Sequence, residues 1–139
     1  MVSTSDSLSI HDCRIIDSTF YKSENSVLYT YNDEINIPNY RIFIVKNVEK
    51  TKRGCHAHKE AKQWFICTEG SIKVIVFDGY HRKIFLLSDP TKALFIPDGI
   101  WSEQYYNENS CLVVLTDKEY IEQDYIREMD NYLSYRGIK

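Results

Sequence analysis

The stretch Arg53-Gly54-Cys55-His56-Ala57-His58-Lys59, continued by Gln63-Trp64-Phe65-Ile66-Cys67 as far as Gly70, decides how the chain is read. In an extended strand successive side chains point to opposite faces, so His56 and His58 share one face while Ala57 turns away between them. Two imidazoles then look into one space. There they can ligate a metal ion or supply a base that titrates near neutral pH. By the same alternation Gln63, Phe65 and Cys67 share the histidine face if the following strand carries no bulge.

Short β-favouring runs surround this stretch. Residues 10–17, 26–31 and 41–46 read as strands, with a loop at 32–39 that holds Asp33, Asn36 and Pro38 and a polar connection at 47–52. Beyond the histidines the strands expected at 63–68, 71–77, 82–88, 93–96, 100–106 and 111–116 are separated by turn-forming groups. These are Glu69-Gly70, Asp78-Gly79, Asp89-Pro90, Pro97-Asp98-Gly99 and Asn107-Glu108-Asn109. Regular short strands punctuated in this way predict an all-β sandwich or barrel. The end of the chain differs, because Ile121, Tyr125, Ile126, Met129 and Tyr132 recur at helical intervals. A helix over 124–135, or two short ones, is expected within a C-terminal helical segment spanning 117–139.

At 139 residues, 43% of them hydrophobic and 14% aromatic, the chain suffices for one domain over 1–139 with one core. A net charge of -3 and seventeen scattered Lys and Arg argue against nonspecific nucleic-acid binding, so an anionic ligand must be met by a few placed cations. Residues 1–9 are polar, expected to be flexible, and no stretch approaches the length of a membrane span. A cytoplasmic protein with no membrane partner is the expectation. Cys13, Cys55, Cys67 and Cys111 lack CxxC spacing and read as reduced, small hydrophobes, with Cys55 the least settled because it adjoins His56. His11 and His81 read as surface residues.

The spacing around the histidines resembles the first motif of the cupin barrels. Four residues, 59–62, separate His56-Ala57-His58 from Gln63, which stands at the place where that motif carries an acidic residue; six more residues, 64–69, lead to Gly70. Pro97-Asp98-Gly99-Ile100-Trp101 resembles the second motif, with Ser102 at its histidine position. Both departures fall on metal ligands. What is left is two imidazoles, a neutral amide and a hydroxyl, with no carboxylate to offset the desolvation of a cation. A metal-free cupin without a cofactor is therefore expected, its histidines available for acid–base chemistry. Two imidazoles turned into a barrel interior are costly to bury without use.

At a finer level the chain resembles the sugar-nucleotide 3,4-ketoisomerases, WxcM-like cupins that act on dTDP-4-keto-6-deoxyglucose. The likeness rests on Ile15-Ile16-Asp17-Ser18, Arg53 to Lys59, Gln63, Pro97 to Trp101, and the closing Asp124-Tyr125-Ile126-Arg127-Glu128-Met129-Asp130-Asn131-Tyr132. It implies a jelly-roll cupin barrel with a short C-terminal helix, forming a homodimer with exchanged N-terminal strands. It further implies removal of the proton on sugar C3 and return of a proton to C4 through an enediol(ate), serving synthesis of a 3-amino-dideoxy sugar for surface glycans such as O-antigen lipopolysaccharide.

Under that resemblance His58 is the choice for the base at carbon, with His56 shuttling the hydroxyl proton or polarising the carbonyl, and the order is reversible. Arg53 and Arg41 align with arginines near the family's active site and suit the diphosphate, although each also reads as one half of a surface ion pair. Gln63 and Ser102 fall to the sugar, and Trp101 to thymine or to the core. The chain departs from the family in continuing from Asp17 as Ser18-Thr19-Phe20-Tyr21, in Phe43 or Ile44 where a tyrosine is common, and in Ser102. Three other readings remain open: a sugar-nucleotide-binding cupin without catalysis, a metal-dependent cupin enzyme with an unrecognised third ligand, and an epimerase of the same keto sugar.

Overall fold

The computed structural model describes residues 8–32, 34–35 and 41–138. Most of the loop expected at 32–39, and all but Leu8 and Ser9 of the N-terminal segment 1–9, lie outside the described residues. The strands are β1 (Arg14–Asp17), β2 (Thr19–Lys22), β3 (Val27–Thr30), β4 (Arg41–Asn47), β5 (Thr51–His58) and β6 (Gln63–Glu69). They are followed by β7 (Ile72–Phe77), β8 (Arg82–Leu87), β9 (Lys92–Ile96), β10 (Trp101–Tyr106), β11 (Ser110–Thr116) and β12 (Tyr125–Ile126), and by one helix, α1 (Met129–Tyr135).

Two antiparallel five-stranded sheets result, in the orders β1-β9-β6-β11-β4 and β12-β5-β10-β7-β8, with β2 and β3 forming a separate ribbon. The sheets face each other in a jelly-roll arrangement without closing into a complete barrel, which is the cupin-like, mainly β architecture expected. The core is built from the inward residues of both sheets. Phe65, Cys67, Leu112 and Val114 come from the first and Val74, Val76, Phe85, Leu87 and Tyr106 from the second. Their alternation with outward residues is the sequence pattern of each strand, and burial of such side chains stabilises by about 1.5–3 kcal/mol each.

Three local expectations change. The run at 10–17 splits into a 3-10 turn over Ile10–Asp12 and then β1. The cause is a capping box: the His11 amide donates to the Ser9 hydroxyl at 3.0 Å and the Ser9 amide to the Asp12 carboxylate at 2.9 Å. Strand β2 was not foreseen in the polar run that follows. The terminal helix covers only Met129–Tyr135, because the preceding residues are claimed by β5. Tyr125 and Ile126 pair with His58 and Ala57, and the Asp124 carbonyl accepts the Lys59 amide at 2.9 Å. Those tertiary hydrogen bonds outweigh the helical periodicity of the apolar residues. Helix α1 is pinned by Tyr132, wholly buried, whose hydroxyl donates to the Gly99 carbonyl at 2.7 Å and has the Phe77 carbonyl at 3.0 Å.

Candidate active site

Strict alternation along β5 would put Arg53 and His56, three residues apart, on opposite faces of the sheet. A bulge prevents this. Gly54 lies opposite Glu103 of β10 and His56 opposite Ser102, so Cys55 is an extra residue with no partner. The backbone turns through positive φ at two successive residues, +84° at Gly54 and +62° at Cys55. The parity of the strand is thereby reset, and Arg53, Gly54 and His56 all line one cavity of about 350 Å³. Cys55 instead packs with Ala57, Trp101, Ile126 and Tyr132.

The cavity lies between the two sheets. Arg41 and Phe43 of β4 form part of its wall, with Gln63 and Phe65 of β6, Gln104 and Tyr106 of β10, and Tyr120, Tyr125 and Arg127 from the C-terminal segment. Gln63 and Phe65 thus share the face expected from alternation. His58 stands beside the wall rather than in it. Its ring meets His56 edge-on, with centroids 5.0 Å apart, and the Tyr125 ring packs 4.3 Å from His58 and 4.9 Å from His56.

One ring nitrogen of His58 is fixed. Nδ1 lies 2.9 Å from Oδ2 of Asp124, whose other oxygen accepts the Glu60 amide at 2.6 Å. A carboxylate at that distance holds the proton on Nδ1, so Nε2 presents its lone pair. Nε2 of His58 and Nδ1 of His56 are both buried without a hydrogen-bond partner among the described residues. Burial lowers the pKa of each imidazole, and at His56 the neighbouring His58 adds to the effect, bringing it to about 4. At His58 the bond to Asp124 and its charge act in the opposite sense without reversing the shift. Both rings are therefore neutral at pH 7 and able to accept a proton.

This has a consequence for stability. An unfolded histidine protonates below about 6.5 whereas folded His56 holds out to about 4, so the unfolded chain binds more protons throughout that window. Stability is expected to fall as pH drops from about 6.5 towards 4, with about 3 kcal/mol attributable to His56. Urea unfolding across this range should show the decline, and His56→Phe should flatten it.

The cations of the site differ in their partners. The Arg41 guanidinium lies over the rings of Phe43 and Tyr120, at 4.7 and 5.4 Å, and its Nη2 is 3.5 Å from the Tyr125 hydroxyl. Its Nε is buried without a partner among the described residues. Among the described residues neither Arg41 nor Arg53 has a carboxylate within ion-pair distance. Arg127 does, donating from Nε and Nη2 to the two oxygens of Glu122 at 2.8 and 3.0 Å. Three arginines in one wall favour an anion, and the planar guanidinium fork suits phosphate oxygens.

Of the residues singled out in sequence, Arg41, Arg53, His56 and Gln63 line the cavity and His58 adjoins it. Ser102 is buried next to it, accepting a hydrogen bond from Gln104 Nε2 at 3.0 Å. Trp101 is not brought to the site: it occupies the other face of β10, packed on Ala57, Ile126 and Tyr132, with its indole N–H donating to Glu103 at 3.0 Å. Of its two readings the core is the one that holds, and its place among the substrate-binding residues falls. Sequence reasoning missed Gln104, which alternation from Ser102 would have supplied. It also missed Asp124, Tyr125 and Arg127, hidden in a stretch read as helix, and Tyr120. All four cysteines are free, none of them lines the cavity, and burial pushes Cys13 up to about 12 and Cys67 up to about 11.

Comparison with known proteins adds an independent line. The family model FdtA, described as WxcM-like, C-terminal, matches residues 11–137. A TDP-4-oxo-6-deoxy-alpha-D-glucose-3,4-oxoisomerase from Aneurinibacillus thermoaerophilus is 37% identical over 97 residues, covering 69% of this chain and 68% of that protein. A 3,4-ketoisomerase from Helicobacter canadensis superposes with a TM-score of 0.86 at 29% identity, over 91% of this chain and 98% of that one. The sugar 3,4-ketoisomerase QdtA of Thermoanaerobacterium thermosaccharolyticum, solved with TDP, gives 0.85 at 28% identity over 93% and 97%.

Proposed function

Since the chain belongs to the FdtA family, the WxcM-like C-terminal group whose relatives are TDP-sugar 3,4-ketoisomerases, we propose that it isomerises dTDP-4-keto-6-deoxyglucose to the 3-keto sugar by proton transfer at His58. Nε2 of His58 takes the proton on C3, which the adjacent C4 carbonyl acidifies, and the electron pair passes into an enediolate. His56 moves the hydroxyl proton from O3 towards O4, and C4 receives a proton to leave the ketone at C3. Atoms and electrons balance within the sugar, so no redox partner enters the reaction.

The observation that carries this reading is the His58–Asp124 pair, an imidazole with one nitrogen anchored and the other bare, beside a cavity with three arginines in its wall. Arg41 and Arg53 take the diphosphate, and Gln63 with the Ser102–Gln104 pair lies on the sugar side. The same reading carries with it a cytoplasmic location and a role in making a 3-amino-dideoxy sugar for surface glycans. No helix among the described residues is long and apolar enough to cross a membrane.

The working unit we infer is a homodimer that exchanges N-terminal strands. Support comes from the β2–β3 ribbon, which belongs to neither main sheet and leaves Phe20, Tyr21 and Leu28 at 49%, 61% and 63% exposure. A lone two-stranded ribbon is marginal in water and gains stability by packing against another surface.

The deciding experiment is incubation of the metal-stripped protein with dTDP-4-keto-6-deoxyglucose in D2O, followed by NMR. Deuterium at C4 of a new 3-keto sugar is the expected result, and the configuration there identifies the product. Binding of dTDP with no exchange would leave a binding module in place of an enzyme.

A further inference from the structure

Glu122 sits in the 3-10 turn Glu122–Asp124, and both of its oxygens are held by the fork of Arg127. The Tyr120 hydroxyl donates to the same carboxylate. Arg127 and Tyr120 line the cavity whereas Glu122 does not, so the ion pair points its cationic half inward. The Arg127 guanidinium also lies 4.3 Å over the Tyr125 ring, the ring that packs on both histidines. Stacking fixes the plane of the fork. A planar fork already arranged for two carboxylate oxygens presents the same geometry to two phosphate oxygens.

The two partners are also exposed enough to part. The Arg127 and Glu122 side chains are 49% and 54% accessible, and an ion pair in water is easily exchanged. Among the described residues Arg41 and Arg53 have no carboxylate to release, and of the cavity's three arginines it is Arg127 whose charge is occupied by the protein itself. Resting on the reading of the cavity as a nucleoside diphosphate site, we propose that Glu122 is an internal stand-in for the substrate's diphosphate: the incoming phosphate displaces it from Arg127, and its competition sets the affinity of the site.

The experiment is calorimetric titration of the intact chain with dTDP, comparing the unaltered protein with Glu122→Gln, Arg127→Gln and the double variant. Removing the competing charge in Glu122→Gln should tighten dTDP by about two- to fivefold, the factor that corresponds to an exposed ion pair. Arg127→Gln should weaken it by about tenfold or more, as for loss of a charge-assisted bond. In the double variant the gain from Glu122→Gln should vanish, because no fork remains to be released. Weakening or no change in Glu122→Gln, or a gain that persists without Arg127, overturns the exchange while the nucleotide site stands. Failure of the unaltered protein to bind dTDP overturns both.

Discussion

Replacement of His58 by asparagine is expected to lower kcat by about 10³-fold or more while dTDP affinity changes by less than about twofold. Asparagine is close to imidazole in size at Cγ, keeps a polar group facing Asp124, and has no lone pair that can accept a proton from carbon at neutral pH. The diphosphate contacts come from Arg41 of β4 and from Arg53, on β5 five residues before His58, and neither side chain is altered by the substitution. Asp124→Asn makes a sharper test of the mechanism, since it leaves the imidazole in place. An amide there can donate to Nδ1, favouring the tautomer whose proton sits on Nε2, the nitrogen that must be bare. A loss of about 10²- to 10⁴-fold is expected. Its pH profile has a definite sign. Asp124 raises the His58 pKa against the stronger effect of burial, so its removal lowers that pKa further and moves the acidic limb of kcat/KM to lower pH. Full activity in His58→Asn together with loss in His56→Asn would exchange the two roles.

Gly54→Ala is expected to cost about 2–4 kcal/mol in urea unfolding, and to weaken dTDP binding in the protein that remains folded. Two effects add. A side chain at φ +84° is strained, and the new methyl carbon would stand 2.6 Å from Gln104 Oε1 and 2.8 Å from its Nε2. Side-chain ends often yield, but Gln104 is buried and bonded to Ser102, so relief requires giving up that bond. The nucleotide effect follows from the bulge, because Arg53 faces the cavity only while the positive-φ backbone at Gly54 and Cys55 persists. Wild-type stability with weakened binding would show that the bulge survives and that Arg53 is misaimed by some other route.

The fold was largely legible because the strands announce themselves by alternation and by the turn residues between them, and the two histidines were correctly paired on one face for the same reason. The site was legible only where period two held. Arg53 reached the cavity through a bulge that no alternation predicts, and the resemblance alone placed it there. Tyr125 and Asp124 were misread because their spacing to Ile121, Met129 and Tyr132 satisfies a helix, while hydrogen bonds to His58, Lys59 and Glu60, more than sixty residues away, decide otherwise. Trp101 was left between thymine and the core by its neighbourhood in a motif, whereas alternation puts it on the face opposite Ser102, and the apolar cluster beneath α1 claims it.

Strand β12 also bears on how the protein comes into being. His58 meets Asp124 across a separation of 66 residues, and helix α1, which anchors that segment through Tyr132, follows it at Met129–Tyr135. A chain emerging from the ribosome can align its histidine strand with β10 while the closing segment is still being synthesised, but it has no anchored base until that segment docks. Long-range pairing of this kind is slow to form. A chain that lacks the segment from Asp124 onward should therefore be chemically silent, its imidazoles present and its proton on either nitrogen.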